Sequence, residues 1–390
     1  MSRTPRAHRR ALALALCAAA VATLQGVASP TAGAAPISAP STVGAIEDST
    51  ARAFAASLSE GSWRTQVRTA ALASDEVDLR ALTSRTRTGA GSALEPAIAT
   101  ADRRIAEAKG LASDTGSLLR LRLASPSMRA ELASGTAPLV AASATEDGAE
   151  TITAYDSRGR AHTLDADRVP DRPVYVVDID GARATEAGLR TLDKELTARG
   201  IPAPAPAPTR TSEKSPASPL SSPTPLSAGF WTTKIDSVRL SNDEEPWVSG
   251  DAEVFSIVSG FGFDGKVRVD TVDMPYLDND GTTYYPNQIL VNWSSYKYNL
   301  ADVVMMEDDG DTNYQALAKA LADALLTITD LGAYIPLVNA ILDAIPTSWY
   351  TNDPDYVDSW YTLSQTSSGP LNGARANGTL TVSPYYVTQF

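Results

Sequence analysis

AEVFSIVSGFGFDGKVRVDTV, Ala252–Val272, decides the fold class of the second half of this chain. It holds two stretches of strand character, AEVFSIVS and GKVRVDTV, rich in β-branched and aromatic residues. Glycines and an aspartate between them suit a turn. TTKIDSVRL precedes the pair; NQILVNWSS, ADVVMME, SWYTLSQ and NGTLTVSPYYV follow, with Gly, Asn and Asp in the gaps. Short strands at this spacing predict an all-β antiparallel sandwich, C2-like or Ig-like, over residues 229–390. Two helical stripes interrupt it. Leu317, Leu321, Leu325 and Ile328 mark one; Tyr334, Leu337, Val338, Ile341, Leu342 and Ile345 mark the other, so a helical insertion is expected over about 313–345.

Immediately upstream, residues 201–228 (IPAPAPAPTRTSEKSPASPLSSPTPLSA) are rich in Pro, Ser and Ala and show no apolar periodicity. Such a stretch favours extended polyproline II and reads as a semi-rigid linker between two folding units. Residues 36–200 form the first unit, helical at the start and then a small α+β arrangement. Phe54 and Leu58, Trp63 and Val67, and Ile98 and Ile105 fit helical stripes. From about Glu150 the period becomes that of strands: ETITAYDSRGRAHTL reads as a hairpin turning at Asp156–Gly159, and PVYVVDID as a buried strand. Leu189, Leu192 and Leu196 then line a helix that stops at Gly200.

The amino terminus carries Arg3, Arg6, Arg9 and Arg10, then the apolar run Ala11–Leu24, then small residues up to Ala34. This is the layout of a signal peptide over residues 1–34, with an apolar core shorter than the ~20 residues needed to cross a bilayer. The expected mature protein is secreted and extracellular, with no membrane insertion after signal removal. Cys17 is the only cysteine and leaves with the signal, so neither disulfides nor a thiol nucleophile is expected. His162 is then the one histidine left, which excludes paired-histidine zinc sites and leaves few routes to a serine triad.

Charge divides the halves. Residues 229–390 hold 7 Lys and Arg against 22 Asp and Glu, which argues against nucleic acid or an anionic membrane surface as a partner, since both would repel it. Twelve of those acids fall in three segments without a basic residue: Asp243–Glu253, Asp273–Asp280 and Glu307–Asp311. Carboxylates ~4 Å apart repel by about 1 kcal/mol in water and by several times that near a protein surface. A hard cation relieves the repulsion, and Ca²⁺, which takes six to eight oxygen ligands in flexible geometry, suits an exported chain. The candidate ligands are Asp243, Glu245, Asp251, Glu253, Asp278, Asp280, Glu307 and Asp309, gathered at one loop end of the sandwich. The blander account is an exposed acidic surface, and no segment matches an EF-hand.

Other motifs carry less. Asp178 and Asp180 in VYVVDIDGA resemble the paired aspartates of a haloacid-dehalogenase-type phosphatase, although too little chain follows for that fold. SDTGS, Ser113–Ser117, occurs once where an aspartic protease needs two copies; it reads as a helix stop at Gly110 and a new helix capped by Asp114. Ser294 and Lys297 lie in strand-like sequence rather than at a helix start.

DEEPWVSGDAEVF, with YYPNQILVNW and VVMMEDD downstream and AYDSRGRAHTLDADRVPDRPVYVV ahead of the linker, resembles a family of secreted bacterial proteins, the domain of unknown function numbered 3103. The resemblance implies an exported two-part protein and transfers no catalytic residue. The expected function is therefore non-enzymatic: a calcium-binding acidic sandwich presenting a surface to an unknown protein or a cell-envelope ligand. The alternative is a secreted carboxylate-dependent hydrolase, glycosidase-like, with Asp251 and Glu253 as its acids and Trp247, Tyr284, Tyr285 and Trp293 lining a cleft.

Overall fold

In the computed structural model of the chain the described residues are 42–86, 89–143, 150–166, 168–203, 229–241, 252–279, 281–308, 310, 312–345 and 356–388. The first half supplies helices α1 (Thr42–Ser57), α2 (Gly61–Ala73), α3 (Leu79–Ser84), α4 (Ala90–Ala108), α5 (Arg129–Ser134) and α6 (Gly181–Arg199). Phe54, Leu58, Trp63, Val67, Ile98 and Ile105 are all buried, so the helical stripes face the core. Gly200, in the left-handed region, ends α6 where the pattern predicts its stop.

The same half holds a mixed sheet, in spatial order β1 (Glu76–Asp78), β2 (Leu119–Leu123), β6 (Val174–Ile179), β3 (Leu139–Ala142), β4 (Thr151–Tyr155), β5 (Ala161–Asp165). The hairpin β4–β5 and the buried strand β6 lie where the pattern puts them. β2 corrects the reading of SDTGS: Gly110 does follow α4 with positive φ, but a strand rather than a helix follows Asp114. LRLRL alternates with arginine as its polar phase, and both arginines lie along carboxylates of the neighbouring strands, so the short segment is stable only inside the sheet.

Two antiparallel sheets form in the second half. One contains β7 (Phe230–Leu240), β10 (Thr283–Tyr284), β11 (Gln288–Asn292), β14 (Gly369–Asn372) and β15 (Gly378–Val387); the other runs β13 (Tyr356–Ser364), β12 (Leu300–Glu307), β8 (Val254–Phe261), β9 (Val267–Asp273). The strand segments expected from the sequence are present, except that NQILVNWSS leaves its strand at Asn292 and Trp293–Ser295 forms a 3-10 turn. Ile235, Val238, Leu380 and Val382 of the first sheet share a core with Val254, Val258, Val303 and Met305 of the second. The other face of the second sheet, with Phe255, Ile257, Val304 and Met306, packs under α6, α7 (Tyr314–Leu325) and α8 (Val338–Ala344). β8 and β12 are thus covered on both sides, which is why they read as nearly unbroken apolar runs. Each such side chain taken from water favours the fold by roughly 1.5–3 kcal/mol.

The second helical stripe is only partly a helix. α8 begins at Val338, because Pro336 disfavours a helical Ile335, and the Tyr334 hydroxyl and Leu337 N–H instead donate to Asp302 at 2.8 and 2.6 Å.

The halves on either side of residues 204–228 share one continuous hydrophobic core, from Val43 through Ile201 to Phe255 and Ile345. Its seam is α6 against α7 and β9. Gly188 permits the approach, since a Cβ there would overlap the Tyr314 ring.

Candidate functional site

Strand register brings the strand ends that flank the three acidic segments to one end of the two sheets. β7 finishes at Leu240, whose carbonyl accepts the Gly281 N–H at 2.9 Å. β8 starts opposite the end of β12, with Val254 across from Glu307, and the Asp308 N–H donates to the Glu253 carbonyl at 2.9 Å. The Met274 N–H, just past β9, donates to the Val254 carbonyl at 2.9 Å. Chain leaving β7, β9 and β12 therefore departs from a common rim.

Of the eight candidate ligands, Asp243, Glu245, Asp251, Asp280 and Asp309 lie outside the described residues. Glu253, Asp278 and Glu307 are described, and they do not point to one spot. Alternation along β12 turns Glu307 towards the space between the sheets, as it does Met305. Glu253 faces the other way, its carboxylate against the backbone of Gly181 at the amino end of α6. Asp278 accepts the Tyr284 hydroxyl at 2.7 Å. Among the described residues no group of three or more His, Cys, Asp or Glu side chains is arranged to hold a metal ion.

One acid in this rim has a different partner. Asp308 receives the Lys109 ammonium at 2.9 Å on Oδ1 and the Thr185 hydroxyl at 2.9 Å on Oδ2, with Lys109 and Asp308 both buried. Lys109 follows α4 and Thr185 lies in α6, so the countercharge comes from the first half of the chain. A segment that has no base of its own in sequence acquires one in space. Burial pushes the nearby Tyr314 hydroxyl well above the usual tyrosine range, and the charge of Asp308 adds to the effect.

The remaining motifs resolve into structure. The Arg122 Nε–H donates to Asp178 at 2.7 Å, and Asp180 takes Arg120 and the Arg183 N–H while capping α6. β6 runs antiparallel to β2 on one side, unlike a phosphatase nucleophile strand set in an all-parallel sheet. Ser294 donates to Asn292 at 2.8 Å and Lys297 pairs with Asp330 at 2.6 Å, so they do not form a serine–lysine device. His162 meets Asp156 at 3.1 Å within the β4–β5 hairpin. Trp293, a cleft candidate, is buried with its indole N–H on Thr233 at 2.9 Å. Two further carboxylates are wholly buried and act as backbone clamps. Asp302 accepts from Leu337, Thr362 and Tyr334, and Asp358 from the amides of Ser359, Arg375, Asn377 and Gly378. Sequence reasoning missed Lys109 and Thr185, because their only signal is a lysine at a helix end and a threonine on a small-residue helix face.

The chain matches the family described as Protein of unknown function (DUF3103) over residues 51–389. It belongs to that family. The match runs from within α1 into the last described residues beyond β15, so family membership spans both halves and their shared core. No curated protein and no solved structure matches the chain. Membership in this family brings no assigned activity with it.

Proposed function

We propose that this family member is an exported, non-enzymatic protein whose acidic rim binds Ca²⁺ and which presents an interaction surface to a partner or to the cell envelope. The observation that carries the reading is the common rim: the strand ends that lead into and out of three base-free acidic segments lie side by side. Lys109 answers the charge of Asp308. The carboxylates of Asp243–Glu253 and Asp273–Asp280, with Glu307 and Asp309, have no lysine or arginine in their own segments, and Ca²⁺ is the cation that suits many flexible oxygen ligands. Two antiparallel sheets over a shared core support a sandwich of the C2-like or Ig-like kind, in which loops collect at the ends. The basic, apolar and small-residue sequence of residues 1–34 supports export.

The test is thermal unfolding of the full mature chain in EDTA and in graded Ca²⁺. An ion bound only by the folded state raises the melting temperature as its concentration passes the dissociation constant. Calcium is expected to raise it, and Asp251→Asn with Glu253→Gln to shrink the rise. Identical melting curves in EDTA and millimolar-range calcium would remove the calcium reading.

A further inference from the structure

The end of the sheets opposite the acidic rim has the reverse character. β7 begins there and β15 ends there, with Trp231 across from Tyr386 and their rings 5.2 Å apart. The turn from β8 to β9 is at the same end and carries Phe263, 71 % exposed. The 3-10 turn Trp293–Ser295 joins the two sheets at this end: Trp293 reaches Thr233 of β7, and the Lys297 N–H donates to the Phe261 carbonyl at 2.8 Å. Asp330 takes the Lys297 ammonium and the Tyr298 hydroxyl, 2.7 Å away, and its Cβ lies 3.5 Å from where Gly265 would carry one. That contact sets Leu331, 81 % exposed, beside the Phe263 turn. Trp231, Tyr385 and Tyr386 are exposed as well.

Charge is segregated in the same sense. Lys234, Lys266, Arg268 and Lys297, four of the seven basic residues of 229–390, are at this end. Asp236, Asp264 and Asp330 each pair with one of them, while Lys266 is exposed and forms no ion pair among the described residues. The acidic segments leave from the far end.

We propose that this end is a peripheral membrane-docking surface. Phe263 and Leu331 enter the boundary between headgroups and acyl chains. Trp231, Tyr385 and Tyr386 lie at the headgroup level, where one edge of an aromatic ring is wet and the other apolar. Residues 229–390 as a whole are acidic and repelled by an anionic surface, but Lys266 faces lipid phosphates while the strand ends leading to the acidic segments lie at the far end, so the charge separation orients the molecule on an anionic bilayer. Two features favour lipid over a glycan or a protein groove. The most exposed apolar groups of this end sit on the tips of a turn and a loop, where they can be immersed, and one is aliphatic, whereas a sugar ring stacks on flat aromatic faces and gains nothing from Leu331. Among the described residues no helix is long and apolar enough to cross a membrane; docking here needs none. The inference names the interaction surface of the proposed function and rests on that part of it alone, since calcium has no role in it.

The experiment is flotation of the full mature chain with vesicles of phosphatidylcholine, with and without phosphatidylglycerol, in EDTA throughout. The chain is expected to float with the mixed vesicles. Phe263→Ser with Leu331→Ser should lower partitioning about a hundredfold at an unchanged melting temperature. Lys266→Glu should weaken binding to the anionic vesicles only. Failure of the wild type to float with either vesicle overturns the proposal, as does a double variant that floats like the wild type. Retention on an insoluble polysaccharide without vesicle binding also overturns it, in favour of a glycan surface. Because EDTA is present throughout, none of these outcomes bears on the calcium-dependent melting shift.

Discussion

Lys109 Nζ lies 2.9 Å from Asp308 Oδ1, both side chains closed off from water, although 199 residues separate them in the chain. The pair ties the end of α4 to the rim where β12 finishes. Removing two ions from water is costly, so such a pair adds little net stability over an apolar substitute, yet it punishes the loss of either partner.

Lys109→Met leaves the Asp308 carboxylate buried without its countercharge and is expected to cost about 3–5 kcal/mol. Adding Asp308→Asn removes the stranded charge and should restore part of that loss. Urea denaturation of the wild type and the three variants completes the cycle; additive losses would show that the pair is not coupled.

Asp270 of β9 carries the pH prediction. Its carboxyl is pushed up to about 6, first by burial and then by the charge of Asp193 on α6, with the Thr271 N–H pulling the other way. In an unfolded chain an aspartate titrates near about 3.9. Between about pH 4 and 6 the folded chain holds a proton that the unfolded chain has lost, so Asp270 favours folding as pH falls and opposes it above about 6. Asp270→Asn is expected to stabilise the protein by on the order of 2 kcal/mol at pH 7, the gain fading towards pH 4. Urea midpoints measured across that range decide it, and a gain independent of pH would contradict the assignment.

The seam between the halves makes a third prediction. Gly188→Ala drives a methyl group into the Tyr314 ring and should cost about 3 kcal/mol, partly recovered by Tyr314→Leu. Residues 229–390 expressed alone lose the cover of α6 over α7 and are expected to bind a hydrophobic dye that the full chain excludes. A dye-silent, cooperatively unfolding fragment would show that the shared core is dispensable.

Local pattern by itself determined the seven longer strands of the second half, most of the helical stripes and the turn at Asp156–Gly159, because alternation, β-branching and glycine act over a few neighbouring residues; the short β10 and β14 carry too little pattern to be read. Charge counting likewise located the acidity in residues 229–390 and in three segments. Short β1, β2 and β3 escaped; LRLRL of β2 acquires its partners from Glu76 and Asp78 on β1, Asp178 on β6 and Asp180 at the start of α6. Tertiary structure alone decided that the strands flanking the three segments end at a common rim, that Glu253 and Glu307 turn to opposite faces, and that Asp308 is answered by Lys109. Those relations depend on register and on packing between distant parts of the chain. A lysine in the first half carries no mark in sequence of the carboxylate it will meet.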